Sequence, residues 1–273
     1  MRYLLLAVFL LVGCAADEAT SDGAVGLDAP AIERPTLVTT ALAKAELAAM
    51  RAEPGALQRP VIVIDGFLDP GFGSAALARD IRQATGDGRV ATISAYAPPT
   101  LTHYAERVLD LAEREFPGEP VDLVGISMGG LAAIEAAADG RGGRVEVRRV
   151  FTLASPLRGA AKANLPAVFP VMRQMRPGSA YLAGLPSRVE SFEAGGGTLV
   201  SYGGVSDRTV RIDEAVPPSG ELIWLPADGS ARWGHTGVIR DPRLTADLIN
   251  RLRGAGPLMR PRPLPGPGDG VQL

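Results

Sequence analysis

At 273 residues with 46% hydrophobic side chains, the chain is long enough to bury a core of its own as one domain. Its charges nearly cancel, 28 Lys and Arg against 30 Asp and Glu, which removes the electrostatic basis for a nucleic-acid partner. A single cysteine excludes an intrachain disulfide, and two histidines far apart leave no ligand spacing for a metal, so neither metal nor cofactor is expected.

The chain opens with Arg2, an apolar stretch from Leu4 to Val12, and small residues before Cys14. So short a stretch covers less than half a bilayer, and residues 1–13 therefore read as a signal peptide rather than a membrane span. Leu11-Val12-Gly13-Cys14 resembles the lipobox of bacterial lipoproteins. That resemblance implies an exported protein anchored to a membrane through acylated Cys14. Because Ala15 rather than an aspartate follows, it also implies retention at the outer membrane or cell surface. Residues 14–40 then read as a lipoprotein tether, its first half rich in Ala, Asp, Ser and Gly.

Between 41 and 253 short apolar runs alternate with helical periodicity. Val61 to Ile64 is a β-branched run suited to a strand buried on both faces. A helix is predicted over Ser74 to Ala84 and a strand over Val90 to Ser94. Leu101, Tyr104, Ala105, Val108, Leu109 and Ala112 then fall on one face of a helix. A strand at 121–124 leads to a helix over Leu131 to Ala138, and further strands are predicted at Val147 to Leu153, Thr198 to Tyr202 and Glu221 to Leu225. The last helix has Asp241 as its cap, Pro242 at the first helical position, and Leu244, Leu248, Ile249 and Leu252 for a buried face. Such alternation predicts an α/β fold, a mostly parallel central sheet with helices on both faces.

Two stretches break the pattern. Leu157 to Phe192 mixes prolines and glycines with apolar residues between two strands, and reads as a cap or lid insertion, or else as a surface excursion with a satellite core. From Gly254 to Leu273, ten of twenty residues are Pro or Gly, which predicts a disordered tail.

The chemistry concentrates at Gly125-Ile126-Ser127-Met128-Gly129, placed between a strand and a helix. A serine at the apex of a strand-to-helix turn needs small neighbours two positions either side, which makes this a nucleophile elbow. A serine hydroxyl is a weak nucleophile at neutral pH and needs an imidazole, held in turn by a carboxylate. On such elbows the partners follow in the order Ser, acid, His, which selects His235 over His103. The same order places the acid between 127 and 235; Asp207, past the turn Gly203-Gly204, fits best, with Asp213, Glu214 and Asp228 as competitors. An oxyanion hole needs two aimed N–H groups. One falls to Met128, and the other to Phe67 in Asp65-Gly66-Phe67-Leu68, with Leu68 as the alternative.

Over residues 59–253 the chain resembles the α/β-hydrolase superfamily and its bacterial lipase and esterase branch. The resemblance rests on Ile64-Asp65-Gly66-Phe67, Gly125-Ile126-Ser127-Met128-Gly129, Thr152-Leu153-Ala154-Ser155-Pro156, Ser206-Asp207-Arg208-Thr209-Val210 and His235-Thr236-Gly237-Val238. It implies a serine hydrolase acting on a small-molecule or lipid ester through an acyl-enzyme. An acyltransferase with the same triad and a non-catalytic surface lipoprotein that keeps the fold as a binding scaffold are the alternatives. Two departures bear on the acyl side: Asp65 stands where many such lipases have histidine, and Pro156-Leu157 where many have Pro-His.

Overall fold

The computed structural model describes residues 38–140, 142–143, 145–164, 169–227 and 234–265. The expected signal peptide, Cys14, nearly all of the tether and Asp228 lie outside the described residues.

Six strands form one sheet: β1 (Val61–Ile64), β2 (Val90–Ile93), β3 (Val121–Ile126), β4 (Val147–Leu153), β5 (Thr198–Gly204) and β6 (Leu222–Leu225). They lie in the order β2-β1-β3-β4-β5-β6, and each neighbouring pair is parallel. The chain steps outward from β1 to β2 and then returns to the other side of β1 with β3. In an open parallel sheet this reversal opens a crevice beyond the carboxyl ends of β1 and β3, where ligand sites form.

Strand pleat divides the core. Ile62 and Ile64 of β1 point into one apolar cluster with Leu123 and Val150, whereas Val61 and Val63 point into another with Val124 and Phe151. Helices α3 (Leu101–Glu115) and α4 (Met128–Asp139) cover the first face. Helices α1 (Thr40–Ala52), α2 (Phe72–Thr85) and α9 (Pro242–Arg253) cover the second. Burial on both sides accounts for β1 and β3 being continuous apolar runs apart from Asp122.

Helix α1 has no counterpart among the sequence expectations, and the folded domain begins earlier than position 41 because Val38 is already buried. The Thr39 side chain accepts from the Leu42 N–H at 3.2 Å and caps the helix, while Ala43, Leu47 and Met50 face α9 and α2. Helix α2 starts two residues before the predicted Ser74, because Asp69 accepts the N–H groups of Gly71, Phe72 and Gly73 at 2.7–3.0 Å.

The 157–192 segment carries a 3-10 turn at Ala161–Asn164 and three helices, α5 (Pro170–Gln174), α6 (Ala180–Ala183) and α7 (Leu185–Ala194). Val171, Tyr181, Leu185, Val189 and Phe192 do not form a satellite core; they join the main cluster on the α3 and α4 face. Phe169 of this segment reaches the loop after β1, meeting Phe67 edge-on at 5.4 Å between centroids.

The expected disordered tail is instead fastened over residues 254–265, although it contains neither helix nor strand. The Leu258 and Met259 N–H groups donate to Asp247 Oδ1 at 2.5 and 2.8 Å. Arg251 donates to the Met259 carbonyl, and the Arg262 guanidinium stacks 3.3 Å from the Trp224 ring centroid. Proline and glycine exclude regular structure but leave carbonyls and amides free to bond a buried carboxylate. Residues 266–273 lie outside the described residues.

Candidate active site

Four non-glycine residues have positive φ among the described residues: Leu68, Tyr96, Ser127 and Ala154, at 50–59°. They follow the carboxyl ends of β1, β2, β3 and β4 respectively. Each such conformation costs about 1–3 kcal/mol, and clustering of that strain along one sheet rim marks the rim as a site.

Ser127, at φ 53° and ψ −120°, turns the chain directly from β3 into α4. Its N–H donates to the Leu153 carbonyl at 2.8 Å, which ties the turn to β4. The turn packs so closely that a Cβ on Gly129 would lie 2.6 Å from the Asp65 carbonyl oxygen, and one on Gly125 would meet the backbone of Gly129 and Gly130. A Cβ on Gly66 would stand 3.1 Å from Ser127 Cβ, so the loop after β1 also runs against the serine. In that loop the Leu68 N–H already donates to the Tyr96 carbonyl at 2.7 Å, whereas the N–H of Phe67 meets no acceptor among the described residues.

Asp207 sits three residues beyond the end of β5 and is buried. Its Oδ1 accepts from the Thr209 and Val210 N–H groups at 2.8 and 3.1 Å, and its Oδ2 accepts from His235 Nδ1–H at 2.6 Å. Since a carboxylate only accepts, this bond places the imidazole proton on Nδ1 and leaves Nε2 as a base. His235 lies in the first turn of a short helix, α8 (Gly234–Ile239). Ser127 and His235 line the same cleft of about 990 Å³, together with Gly66, Phe67 and Leu68.

The competing acids are engaged elsewhere. Asp213 is half-exposed and pairs with Arg211, and Glu214 accepts from the Ala161 and Arg211 N–H groups at 2.8 Å each. His103 is a half-exposed residue of α3, 3.7 Å from Glu106.

Asp65, which stands where many such lipases have histidine, is fully buried and accepts from both the N–H and the hydroxyl of Ser74, at 2.7 and 2.5 Å. Tyr104 O–H donates to the Asp65 carbonyl at 3.1 Å and to that of Ile93 at 3.2 Å. These bonds hold the backbone of the loop that approaches Ser127. Nothing local signals them, since the partners are nine and 39 residues away. Burial pushes the Asp65 carboxyl up to about 6 from the ordinary 3.8, against the two Ser74 bonds and with a further push from the Asp69 carboxylate. A carboxyl whose folded value lies above its unfolded one binds its proton more tightly in the fold. Its stabilising contribution is therefore complete below the unfolded value and disappears as pH rises through about 6. Asp65→Asn is expected to remove that slope, which amounts to up to about 3 kcal/mol between pH 4 and 7. Urea unfolding of both proteins across this range is the check, and parallel stability curves would refute it.

A parallel sheet with a strained serine after its third strand, an imidazole and carboxylate bonded at the same rim, and helices on both faces is the α/β-hydrolase fold. No protein-family model and no curated protein matches the sequence. Solved structures do match. A lipase of Bacillus licheniformis in its propeptide form superposes with a TM-score of 0.54 at 15% identity, over 74% of this chain and 51% of that one. Aspergillus fumigatus lipase B superposes with a TM-score of 0.51 at 15% identity, over 83% and 62%. The RedJ thioesterase of Streptomyces coelicolor gives 0.44 at 19% identity, over 73% and 89%. The chain thus spans about half to three-fifths of the length of the two lipases.

Proposed function

We propose that the chain is a serine hydrolase that cleaves carboxylic esters through an acyl-enzyme. The observation that carries this reading is the 2.6 Å His235–Asp207 bond beside a cleft shared with a serine on a strained elbow. In this mechanism Ser127 Oγ attacks the ester carbonyl while His235 Nε2 takes its proton, and Asp207 supports the imidazolium that forms. The tetrahedral oxyanion is met by the N–H groups of Phe67 and Met128, the latter at the start of α4 where the helix dipole favours negative charge. His235 then returns the proton to the leaving alcohol, and a water deacylates Ser127 by the same route. The two lipases named above share the fold and so agree with ester hydrolysis as the activity.

Fluorophosphonate labelling tests the reading. The wild type is expected to label and Ser127→Ala not to label, with hydrolysis of 4-nitrophenyl esters lost in parallel by about 10⁶-fold. An unlabelled wild type would leave only a scaffold role.

Export and anchoring through Cys14 belong to the same proposal. On this reading attachment is through the acyl group; among the described residues no helix is long and apolar enough to cross a membrane. Metabolic labelling with palmitate that vanishes in Cys14→Ser is the expected result, and labelling that persists in that variant would overturn it.

A further inference from the structure

The cleft that holds Ser127 and His235 also carries two arginines, Arg79 from α2 and Arg240 just past α8. Neither guanidinium has a hydrogen bond or ion pair among the described residues. The acids of the cleft, by contrast, are all occupied. Asp69 accepts three backbone N–H groups at 2.7–3.0 Å, and Asp80 pairs with Arg51 at 3.4 Å. Asp207, behind His235, accepts from that imidazole and from two amides. The two guanidinium groups therefore keep their donors free for whatever enters the cleft, and arginine is the side chain whose planar fork best matches a carboxylate or phosphate.

One of the two charges sits at a defined remove from the reacting groups: Arg240 lies five residues past His235, about 8 Å at helical rise, while Arg79 lines the same cleft from α2. The same cleft is lined by apolar Ala75, Ala76, Leu77 and Ile239 as well as by Thr236. A ligand that placed a carbonyl at Ser127 would thus share the cleft with apolar side chains and two cations.

We propose that the substrate is an anionic ester, one with a carboxylate or phosphate roughly 8 Å from the scissile carbonyl, bound by Arg240 with Arg79 in the same cleft. This rests on the hydrolase reading and adds the class of ester. A neutral ester meets the apolar side chains equally well but leaves both guanidinium groups without a partner. Two partly exposed charge contacts together are worth about tenfold in kcat/KM.

The test compares matched esters with the full chain. On the acyl side, 4-nitrophenyl hydrogen suberate is set against 4-nitrophenyl octanoate; on the alcohol side, 4-carboxyphenyl octanoate against phenyl octanoate. The expected result is a preference of about tenfold for the anionic member of one pair, shrinking toward unity in 1 M salt and in the Arg79→Gln, Arg240→Gln double variant. The ratio is the readout, because damage to the fold or the triad lowers both members alike. Equal rates within both pairs, or a preference that survives the double substitution, would overturn the proposal while leaving ester hydrolysis standing. Calorimetric binding of monomethyl and dimethyl suberate to Ser127→Ala separates the two claims. If no ester is turned over, yet the monoanion binds about tenfold more tightly and loses this advantage without the arginines, the anion site stands and the hydrolase reading falls. Equal binding of the two would remove the anion site as well.

Discussion

Asp207→Asn is expected to lower kcat by about 10⁴ while leaving the fold intact, as the equivalent change does in Ser-His-Asp triads. The reason lies in the two oxygens of this carboxylate. Oδ1 accepts from the Thr209 and Val210 N–H groups, so an asparagine keeps its carbonyl oxygen there and turns its NH₂ toward His235. Nδ1 must then accept rather than donate. Its proton moves to Nε2, the nitrogen that has to receive the Ser127 proton, and the base is lost although every heavy atom keeps its place. Kinetics on a 4-nitrophenyl ester give the rate, and nitrogen NMR of the imidazole gives the tautomer. Asp207→Ala serves as the contrast, because it also strips the acceptor from two loop amides and is expected to lose stability as well as rate. A kcat for Asp207→Asn within tenfold of wild type would remove Asp207 from the catalytic assignment.

The legible parts of this fold are those whose partners are local or whose pattern is dictated by two-sided burial. The Val61–Ile64 run, the turn Gly125 to Gly129 and the Asp241-Pro242 cap each carry their cause within a few residues. The Asp241 side chain accepts from the Arg243 N–H, as the cap pattern implies. What sequence missed depends on distant partners. Asp65 reads as a turn former until Ser74 and Tyr104 close around it. The tail reads as disordered until Asp247 offers it an acceptor, a residue that also receives Tyr202 O–H at 2.7 Å and the Arg251 guanidinium at 2.8 Å. Helix α8, of sequence Gly-His-Thr-Gly-Val-Ile, contains two glycines and two β-branched residues before its end, and its propensity argues against a helix. Its Val238 is buried against Gly204, so packing outweighs propensity there. The choice between Phe67 and Leu68 was equally closed to sequence, since it turns on a carbonyl 28 positions away at Tyr96 that occupies one N–H and not the other.

Asp122→Ala is expected to cost about 3–5 kcal/mol, a large share of the roughly 5–15 kcal/mol that holds a typical domain together. Asp122 lies in β3, fully buried, and joins two arginines: Oδ1 accepts from Arg59 Nε at 2.9 Å, and Oδ2 accepts from Arg149 Nε and Nη2 at 3.0 and 2.5 Å. Arg149 in turn donates to the carbonyls of Arg251 and Leu252 at the end of α9, so the carboxylate neutralises the cation that fastens the last helix to the sheet. Removing the acid strands a guanidinium whose side chain is 15% exposed, and such a charge is costly without its counter-ion. The same reasoning predicts that Asp122→Leu combined with Arg149→Met recovers much of the loss, because a well-packed apolar pair replaces a buried ion pair at little cost. Urea unfolding measures both, and a single-variant loss below about 1 kcal/mol would refute the account. Catalysis should be spared. Asp122 precedes Ser127 by five residues of extended chain, about 16 Å, at the opposite end of the strand from the elbow. Per folded molecule, then, kcat stays at the wild-type value while the melting temperature falls, the reverse of what Asp207→Asn does.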